Sequence, residues 1–144
     1  MKILVTSDVH GYINHFNKII SQTRDMVNYH VDLGDFNSSY DLYPNVTFIK
    51  GNCDENYSLS NELEIVIDSK KFLFLHGHTH SIKSGFFNLI SYARKKKADF
   101  CIFGHLHQPL CFIKYNIHFI CPGAVLNKEY LIINDLSIEL RSLV

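Results

Sequence analysis

Residues 76–80, His-Gly-His-Thr-His, carry three histidines at alternate positions directly after the apolar run 72–75. Glycine and threonine are poor strand residues, so we expect a turn at the end of a strand here. Residues 104–107, Gly-His-Leu-His, repeat this arrangement after a second apolar run, 100–103. One such histidine pair is typical of a solvated polar turn, but imidazole is also the commonest metal ligand in proteins. Two turns of the same kind indicate a shared metal site.

Five apolar runs of the chain end in a polar side chain just past the predicted strand. The carboxyl ends of neighbouring strands lie along one edge of a sheet, and open α/β sheets place their sites there. Side chains far apart in sequence can therefore converge on one point. We call the predicted metal ligands among these side chains the strand-end cluster, which consists of Asp8, His10, Asp35, Asn52, His76, His105 and His107.

The donor atoms of the strand-end cluster belong to two carboxylates, one amide and four imidazoles, with no thiolate. Such a set suits a first-row divalent ion and argues against a structural zinc site built from cysteines. Seven ligands exceed what one tetrahedral ion needs. If one carboxylate is shared, they divide into two sites about 3.5–4 Å apart. We therefore expect two divalent metal ions as cofactors, and the donor set alone leaves manganese, iron, cobalt, nickel and zinc open. Manganese is our expectation, with nickel, iron, cobalt or zinc as alternatives.

Some members of the strand-end cluster also have simpler interpretations. Asp8 and Asp35 could cap a helix or a turn, which is a common use of aspartate after a strand. Asn52 follows a glycine and could be only a turn residue.

The elements that must position the cluster begin as an α/β pattern. Short apolar runs at residues 3–6, 29–33 and 46–49 predict buried parallel strands, and helical spacing predicts an amphipathic helix over 13–23. The loop at 37–44 has room for only a short helix.

The second half of the chain is richer in β-type runs. We expect hairpins over residues 63–75, 110–120 and 130–140, a helix over 86–93 and a buried strand at 100–103. We therefore expect the C-terminal part to be an antiparallel meander.

Length and composition favour one domain over residues 1–144, because 47% hydrophobic residues can fill a core. The 14 basic and 14 acidic residues give zero net charge, so nothing at the level of the whole chain indicates nucleic acid or membrane. The basic run 94–97 could be an RNA-binding patch, but it is more typical of a solvated helix end.

Cysteine usage and the N-terminus both indicate a cytoplasmic protein. The four cysteines form no C-x-x-C pair, and Cys101, Cys111 and Cys121 lie in apolar runs, as expected of reduced thiols that pack as small hydrophobic groups. The N-terminal apolar run is too short for a signal peptide, and no run has the length of a membrane span.

Five sequence blocks follow one another in the order Asp8-x-His10, Gly34-Asp35, Gly51-Asn52, His76 and Gly104-His105-x-His107. Together they resemble the calcineurin-like metallophosphoesterases. The similarity is greatest to the small single-domain bacterial and archaeal phosphodiesterases, which carry G-N-C-D, H-G-H and G-H-x-H in this arrangement. That resemblance implies an α/β (α+β) fold in which two mixed β-sheets pack as a sandwich flanked by helices, the four-layer metallophosphoesterase fold.

The same resemblance assigns the ligands to two metals that share Asp35. The first metal takes Asp8, His10, Asp35 and His107, and the second takes Asp35, Asn52, His76 and His105. His78 becomes a catalytic candidate that either contacts the substrate phosphate or supports a metal ligand. We interpret His80 as the exposed end of the turn, and His15, His30 and His118 as histidines outside the site.

The implied function is a metal-dependent phosphoesterase, and specifically a phosphodiesterase for small-molecule substrates. Our hypothesis is in-line attack on phosphorus by a hydroxide that bridges the two metals, because metal-bound water has a pKa of about 7. Members with an N-H-D block use its histidine to help protonate the leaving oxygen, whereas this chain has Cys53 there. A thiol suits that role less well, so we expect a preference for diesters with good leaving groups.

The alternative function is a non-catalytic, metal-binding scaffold for protein interactions with the same fold. Such scaffolds typically lose histidines of the metal site, and this chain has all seven predicted ligands.

Overall fold

Two mixed β-sheets of five strands each form the framework of residues 1–55 and 58–144, the part of the chain described by a computed structural model. The strands of the first sheet are β1 (Lys2–Thr6), β2 (Tyr29–Asp32), β3 (Val46–Phe48), β9 (Glu129–Asn134) and β10 (Ser137–Ser142). The strands of the second are β4 (Glu62–Ile67), β5 (Lys70–Leu75), β6 (Phe100–Phe103), β7 (Pro109–Lys114) and β8 (Ile117–Pro122). The first sheet has the order β10-β9-β1-β2-β3 and the second has the order β4-β5-β6-β8-β7.

Parallel pairing joins the strands whose ends carry the predicted ligands. In the first sheet β1 pairs with β2 and β2 with β3, and in the second β5 pairs with β6, all in parallel. Helix α1 (Ile13–Thr23) connects β1 to β2, and helix α2 (Phe87–Lys95) lies between β5 and β6 in the chain. Strands β1, β5 and β6 are buried along most of their length because each sheet is covered on both sides.

Three apolar clusters define four layers. Between the sheets, Val5 and Leu131 of the first sheet pack with Phe74 and Ile102 of the second, and all four are fully buried. Outside the first sheet lies α1, which packs with residues of β1 and β9. Outside the second sheet lies α2, which packs with residues of β5, β6 and β8. The predicted four-layer α/β fold is therefore confirmed. No helix in the described ranges is long and apolar enough to cross a membrane.

The predicted C-terminal meander is wrong, although both of its hairpins form. The β7–β8 hairpin joins the second sheet, where β8 runs parallel to β6. The β9–β10 hairpin joins the first sheet, where β9 pairs antiparallel with β1. Residues 130–133 of β9 are all buried, so this strand needs cover on both faces and takes a central position beside β1.

The predicted burial of the cysteines is correct for two of the three in apolar runs. Cys101 and Cys121 are fully buried in strands β6 and β8. Cys111 is exposed, because it lies on β7 at the edge of its sheet. The short helix allowed in the loop at 37–44 forms as one turn of 3-10 helix, Tyr40–Leu42.

Candidate metal centre

The strand-end cluster assembles where the carboxyl ends of five parallel strands from both sheets meet. Backbone hydrogen bonds join the segments that follow these strands. The Asp8 N–H donates to the Gly34 carbonyl (3.0 Å) and the His10 N–H to the Asp35 carbonyl (2.9 Å). In the second sheet, the Gly104 N–H donates to the His76 carbonyl (3.0 Å). The chain thereby brings ligands from distant parts of the sequence into direct contact.

One group of potential ligands consists of Asp8, His10 and His107. Asp8 is fully buried, and its Oδ1 lies 3.1 Å from His107 Nε2 and 3.4 Å from His10 Nε2. The two imidazole Nε2 atoms are 3.2 Å apart. Each residue offers one ligand atom within 4.8 Å of the others, which is close enough for a single ion.

A second group consists of Asp35, His76 and His105, with Asn52 beside it. His76 Nε2 lies 3.2 Å from Asp35 Oδ2, 3.1 Å from Asn52 Oδ1 and 3.2 Å from His105 Nδ1. The same Asp35 oxygen is 3.7 Å from His10 Nε2 of the first group. Asp35 therefore lies between the two groups, as expected of a shared ligand.

The proton on His76 provides a test of whether a cation fits. His76 Nδ1 lies 2.9 Å from the Leu33 carbonyl oxygen, and a carbonyl only accepts, so Nδ1 carries a hydrogen. In the neutral ring Nε2 then has a lone pair, although its neighbours Asp35 Oδ2 and Asn52 Oδ1 are also acceptors. A proton on Nε2 could be donated to only one of them, whereas a divalent ion accepts lone pairs from all three. The donor set fits a metal ion.

The charges of the cluster shift its pKa values in the metal-free state. Burial acts to raise the pKa of Asp35, but the hydrogen bond and charge of His76 outweigh it and lower that pKa to about 2. The hydrogen bond to Asp8 raises the pKa of His10 above its ordinary value. Burial and the charge of His76 lower the pKa of His105 to about 4. The cluster therefore holds ionised carboxylates beside imidazoles of differing proton affinity.

His78 lies beside the cluster and His80 lies away from it. The His78 ring centroid is 5.3 Å from that of His76, and burial followed by the charge of His76 lowers its pKa. Its Nδ1 is buried with no hydrogen-bond partner among the residues described. The expectation of a turn is correct, since His78–His80 forms a 3-10 turn. His80 is half-buried rather than exposed, because its ring packs 4.5 Å from that of Tyr92 on α2.

The histidines predicted to lie outside the site do so in different ways. His30 is buried, and its Nε2 contacts the Thr6 hydroxyl at 2.8 Å. His118 is exposed on β8, and His15 is half-buried in α1.

Two cations of the basic run 94–97 contact other residues of the protein. Lys96 lies 3.2 Å from Glu64 and Arg94 packs over a tyrosine ring, which weakens the RNA-binding interpretation.

Asp54 is a buried residue whose function the sequence analysis missed. Its carboxylate accepts hydrogen bonds from the N–H groups of Asp35 (2.8 Å), Phe36 (3.3 Å) and Gly51 (2.7 Å), and from the Tyr40 hydroxyl (2.5 Å). It thereby holds the loop after β2 against the loop after β3. The sequence did contain a signal for this role, since Asp54 is the last residue of the Gly-Asn-Cys-Asp block.

Five residues of the cluster have a positive φ that the sequence analysis did not predict: Asp8, His10, Asp35, His105 and His107. A positive φ is uncommon outside glycine and is concentrated at functional sites. These dihedrals depend on the approach of two loops and carry no single-residue signal. Gly51 meets a different constraint, since a Cβ there would lie 2.2 Å from Asp35 Oδ1.

Cys53 is exposed beside Asp35 and His10. Its N–H donates to Asp35 Oδ1 (2.7 Å), and burial followed by the charge of Asp35 raises the pKa of its thiol. Its sulfur, one Asp35 oxygen and one His10 nitrogen all lie within 4.8 Å of one another. The thiol therefore faces the cluster in its protonated form when no metal is bound.

Comparisons with known proteins agree with this geometry. A model of the calcineurin-like phosphoesterase superfamily domain matches residues 1–132. The probable metallophosphoesterase YsnB of Bacillus subtilis (strain 168) is 31% identical over 127 residues, which cover 87% of this chain and 75% of that protein.

Two solved structures show the same fold. A predicted phosphoesterase from Streptococcus pneumoniae superposes with a TM-score of 0.82 and 24% identity, covering 98% of this chain and 88% of that one. A protein described as a novel archaeal phosphodiesterase gives a TM-score of 0.81 and 22% identity, covering 99% of this chain and 100% of that one.

Fold, cluster and family match together define a metal-dependent phosphoesterase, a hydrolase of phosphoric esters. The chain belongs to the calcineurin-like phosphoesterase superfamily, which confirms the resemblance drawn from its motifs.

Proposed function

We propose that this protein is a phosphodiesterase that uses two divalent ions held by the strand-end cluster. The observation that carries the proposal is the position of His76 Nε2, which lies within 3.2 Å of Asp35 Oδ2 and 3.1 Å of Asn52 Oδ1. Lone pairs that converge in this way are satisfied by a cation. Asp8, His10 and His107 form a second group of the same kind. Manganese is the ion we expect, since carboxylate and imidazole ligands suit it.

The charge balance of the site favours an anionic substrate. Asp8 and Asp35 are the two carboxylates of the cluster, and both have a pKa below the ordinary value of 3.8. Two divalent ions would leave a positive excess over these two negative charges. When bound, such ions polarise a phosphoryl oxygen and lower the pKa of water to about 7, so that hydroxide is available near neutral pH.

We assign His78 a contact with the substrate phosphate. Its pKa is lowered by burial and by the charge of His76, so the ring is neutral near pH 7. A neutral imidazole still has one N–H to donate, and donation to a phosphoryl oxygen stabilises the charge that develops there. His78 thus stabilises the transition state without carrying a charge of its own.

Cys53 limits the range of esters that the site hydrolyses. Its thiol pKa lies above the ordinary value of 9.0 because of burial and the charge of Asp35. A weak acid in that position transfers a proton poorly to a leaving alkoxide. Diesters whose leaving groups need no protonation are therefore the expected substrates.

Rates on diesters with leaving groups of graded acidity test this proposal, with a 4-nitrophenyl monoester as the comparison. We expect manganese-dependent hydrolysis of bis(4-nitrophenyl) phosphate and a steep fall in rate as the leaving group becomes less acidic. A flat dependence with chemistry shown to be rate-limiting would contradict the role given to Cys53. A protein that binds the metals and hydrolyses no ester would favour the scaffold alternative.

A further inference from the structure

A cavity of about 350 Å³ opens beside the strand-end cluster, where the chain passes from β1 into α1. His10 belongs both to the cluster and to the wall of this cavity. A phosphoryl group held at the cluster could therefore extend one of its substituents into the cavity. The other residues of its wall are Gly11, Tyr12, Ile13, Asn14 and His15.

Tyr12 gives the cavity a flat aromatic wall. Its side chain is 52% exposed, although most aromatic side chains of this protein lie in the core. Its ring stacks on His15, with centroids 5.4 Å apart and planes inclined by 28°. His15 is itself fixed, because its Nδ1 lies 3.1 Å from the Val125 carbonyl oxygen. The two rings form an anchored platform on which another flat ring can stack.

The same wall offers hydrogen-bonding groups. The Val125 carbonyl only accepts, so His15 Nδ1 carries the hydrogen and Nε2 is an acceptor in the neutral ring. Asn14 supplies an amide donor and acceptor, and Gly11 has no side chain to fill the space. None of these lining residues is acidic, so an electron-rich ring meets no repelling carboxylate here.

We propose that this cavity binds the nucleobase of a nucleoside phosphoester, which makes nucleotide diesters the substrate class of the proposed phosphodiesterase. A stacking surface with adjacent donors and acceptors matches a heteroaromatic base and gives an alkyl chain nothing to pair with. The proposal rests on the proposed function for the position of the phosphate, and on Tyr12, Asn14 and His15 for the base.

Binding of adenosine 5′-monophosphate to the protein loaded with diamagnetic zinc tests the base site by a readout other than hydrolysis. In saturation-transfer difference NMR we expect the adenine protons to receive more saturation than the ribose protons. Tyr12→Ala should weaken adenosine 5′-monophosphate binding at least about fivefold, since a stacked base is worth about 1–3 kcal/mol, and Tyr12→Phe should retain it. Binding of ribose 5-phosphate should not respond to either change. The matched control is Tyr115→Ala, at a tyrosine of similar exposure on the β7–β8 turn.

Hydrolysis separates this proposal from the proposed function. Thymidine 5′-(4-nitrophenyl) phosphate and methyl 4-nitrophenyl phosphate share a leaving group and differ in the base. We expect Tyr12→Ala to lower the ratio of their kcat/KM values at least about fivefold. An unchanged ratio, with both esters hydrolysed, would overturn the nucleobase site and leave the phosphodiesterase intact. If neither ester is hydrolysed, the proposed function fails. The NMR comparison then tests the base site alone, and equal binding of adenosine 5′-monophosphate by Tyr12→Ala and Tyr115→Ala would overturn it.

Discussion

His10 and His107 face each other through their Nε2 atoms at 3.2 Å, although the two residues are 97 positions apart in sequence. A neutral pair of imidazoles can share one proton across this contact, and a doubly protonated pair would repel. A divalent ion bound at this contact would accept one lone pair from each Nε2 atom. Bound metal should therefore join the segment after β1 to the segment after β6.

Metal should stabilise the folded protein through this contact. At a free metal concentration one hundred times Kd, binding adds about 2.7 kcal/mol to the free energy of unfolding. We expect Tm, measured by circular dichroism, to rise with Mn²⁺ and to fall again with a chelator. His107→Ala should lower the rise, because it removes a ligand of the first metal and leaves the group around His76 complete. His118→Ala, at an exposed histidine outside the cluster, is the control and should keep it. Equal responses of the two variants would contradict the assignment of His107 as a ligand.

The metal-induced rise in Tm should depend on pH. The pKa values of His10 and His76 are raised above 6.5 in the metal-free protein. Their protonated forms stabilise the metal-free fold fully below pH 6.5, and this contribution is lost as the pH rises through the raised values. Metal must displace these protons, so affinity increases with pH by up to about tenfold per unit for each proton displaced. We expect a larger rise in Tm at about pH 8 than at about pH 6. A rise that is equal at both would show that the two rings are not ligands.

Asp54 should position the ligands without binding metal. Asp54→Asn replaces one acceptor oxygen with an NH₂ group. If Oδ2 is replaced, the N–H groups of Asp35 and Gly51 both lose their acceptor, and if Oδ1 is replaced, that of Phe36 does. We expect a loss of about 1–3 kcal/mol in stability and a 10- to 100-fold weaker metal affinity, measured by urea unfolding and calorimetry.

Tyr40→Phe is the matched control for Asp54→Asn. It removes only the hydroxyl that donates to Asp54 Oδ1 and leaves the three backbone donors in place. We expect it to cost about 1 kcal/mol and to leave metal affinity within a few-fold of the parent protein. If both variants bound metal equally well, Asp54 would have no positioning role.

The three histidines of residues 76–80 should differ in their importance. His76→Ala should abolish metal-dependent hydrolysis, because Nε2 is the point of convergence in its group. His78→Ala should lower kcat about a hundredfold with metal retained, as for loss of a group that acts in the transition state. His80→Ala should change the rate little, since its ring packs on Tyr92. Kinetics combined with metal analysis distinguish these outcomes, and equal losses at all three positions would refute the ordering.

Each residue of the strand-end cluster follows a strand with a strong local signal, so their convergence was predictable, whereas their role as ligands stays a prediction. Parallel strands place their carboxyl ends at one edge of a sheet, so Asp8 can be grouped with Asp35, and His76 with His105, from the sequence. That the edges of the two sheets meet depends on how the sheets pack, which strand patterns do not report. The path of the C-terminal hairpins could not be predicted in this way. A hairpin is a local pattern of the sequence. The sheet that it joins depends instead on where its apolar strand can be covered on both faces, as β9 is beside β1.

The role of Asp54 and the packing of His80 depend on contacts between loops. Asp54 binds donors in two loops, including Phe36, which lies 18 positions away. His80 is covered by Tyr92 of a different helix. No period or spacing in a single sequence reports such contacts. The cytoplasmic location and the single domain over residues 1–144 remain predictions.

A joint titration of metal occupancy and hydrolysis tests whether the strand-end cluster is a catalytic site for two metal ions. Chelated protein is titrated with Mn²⁺, and bound metal and the rate on bis(4-nitrophenyl) phosphate are measured in the same samples. We expect no hydrolysis in the chelated protein and a rate that rises with occupancy up to two ions per chain. Hydrolysis that survives exhaustive chelation, or full occupancy without hydrolysis, would contradict this expectation.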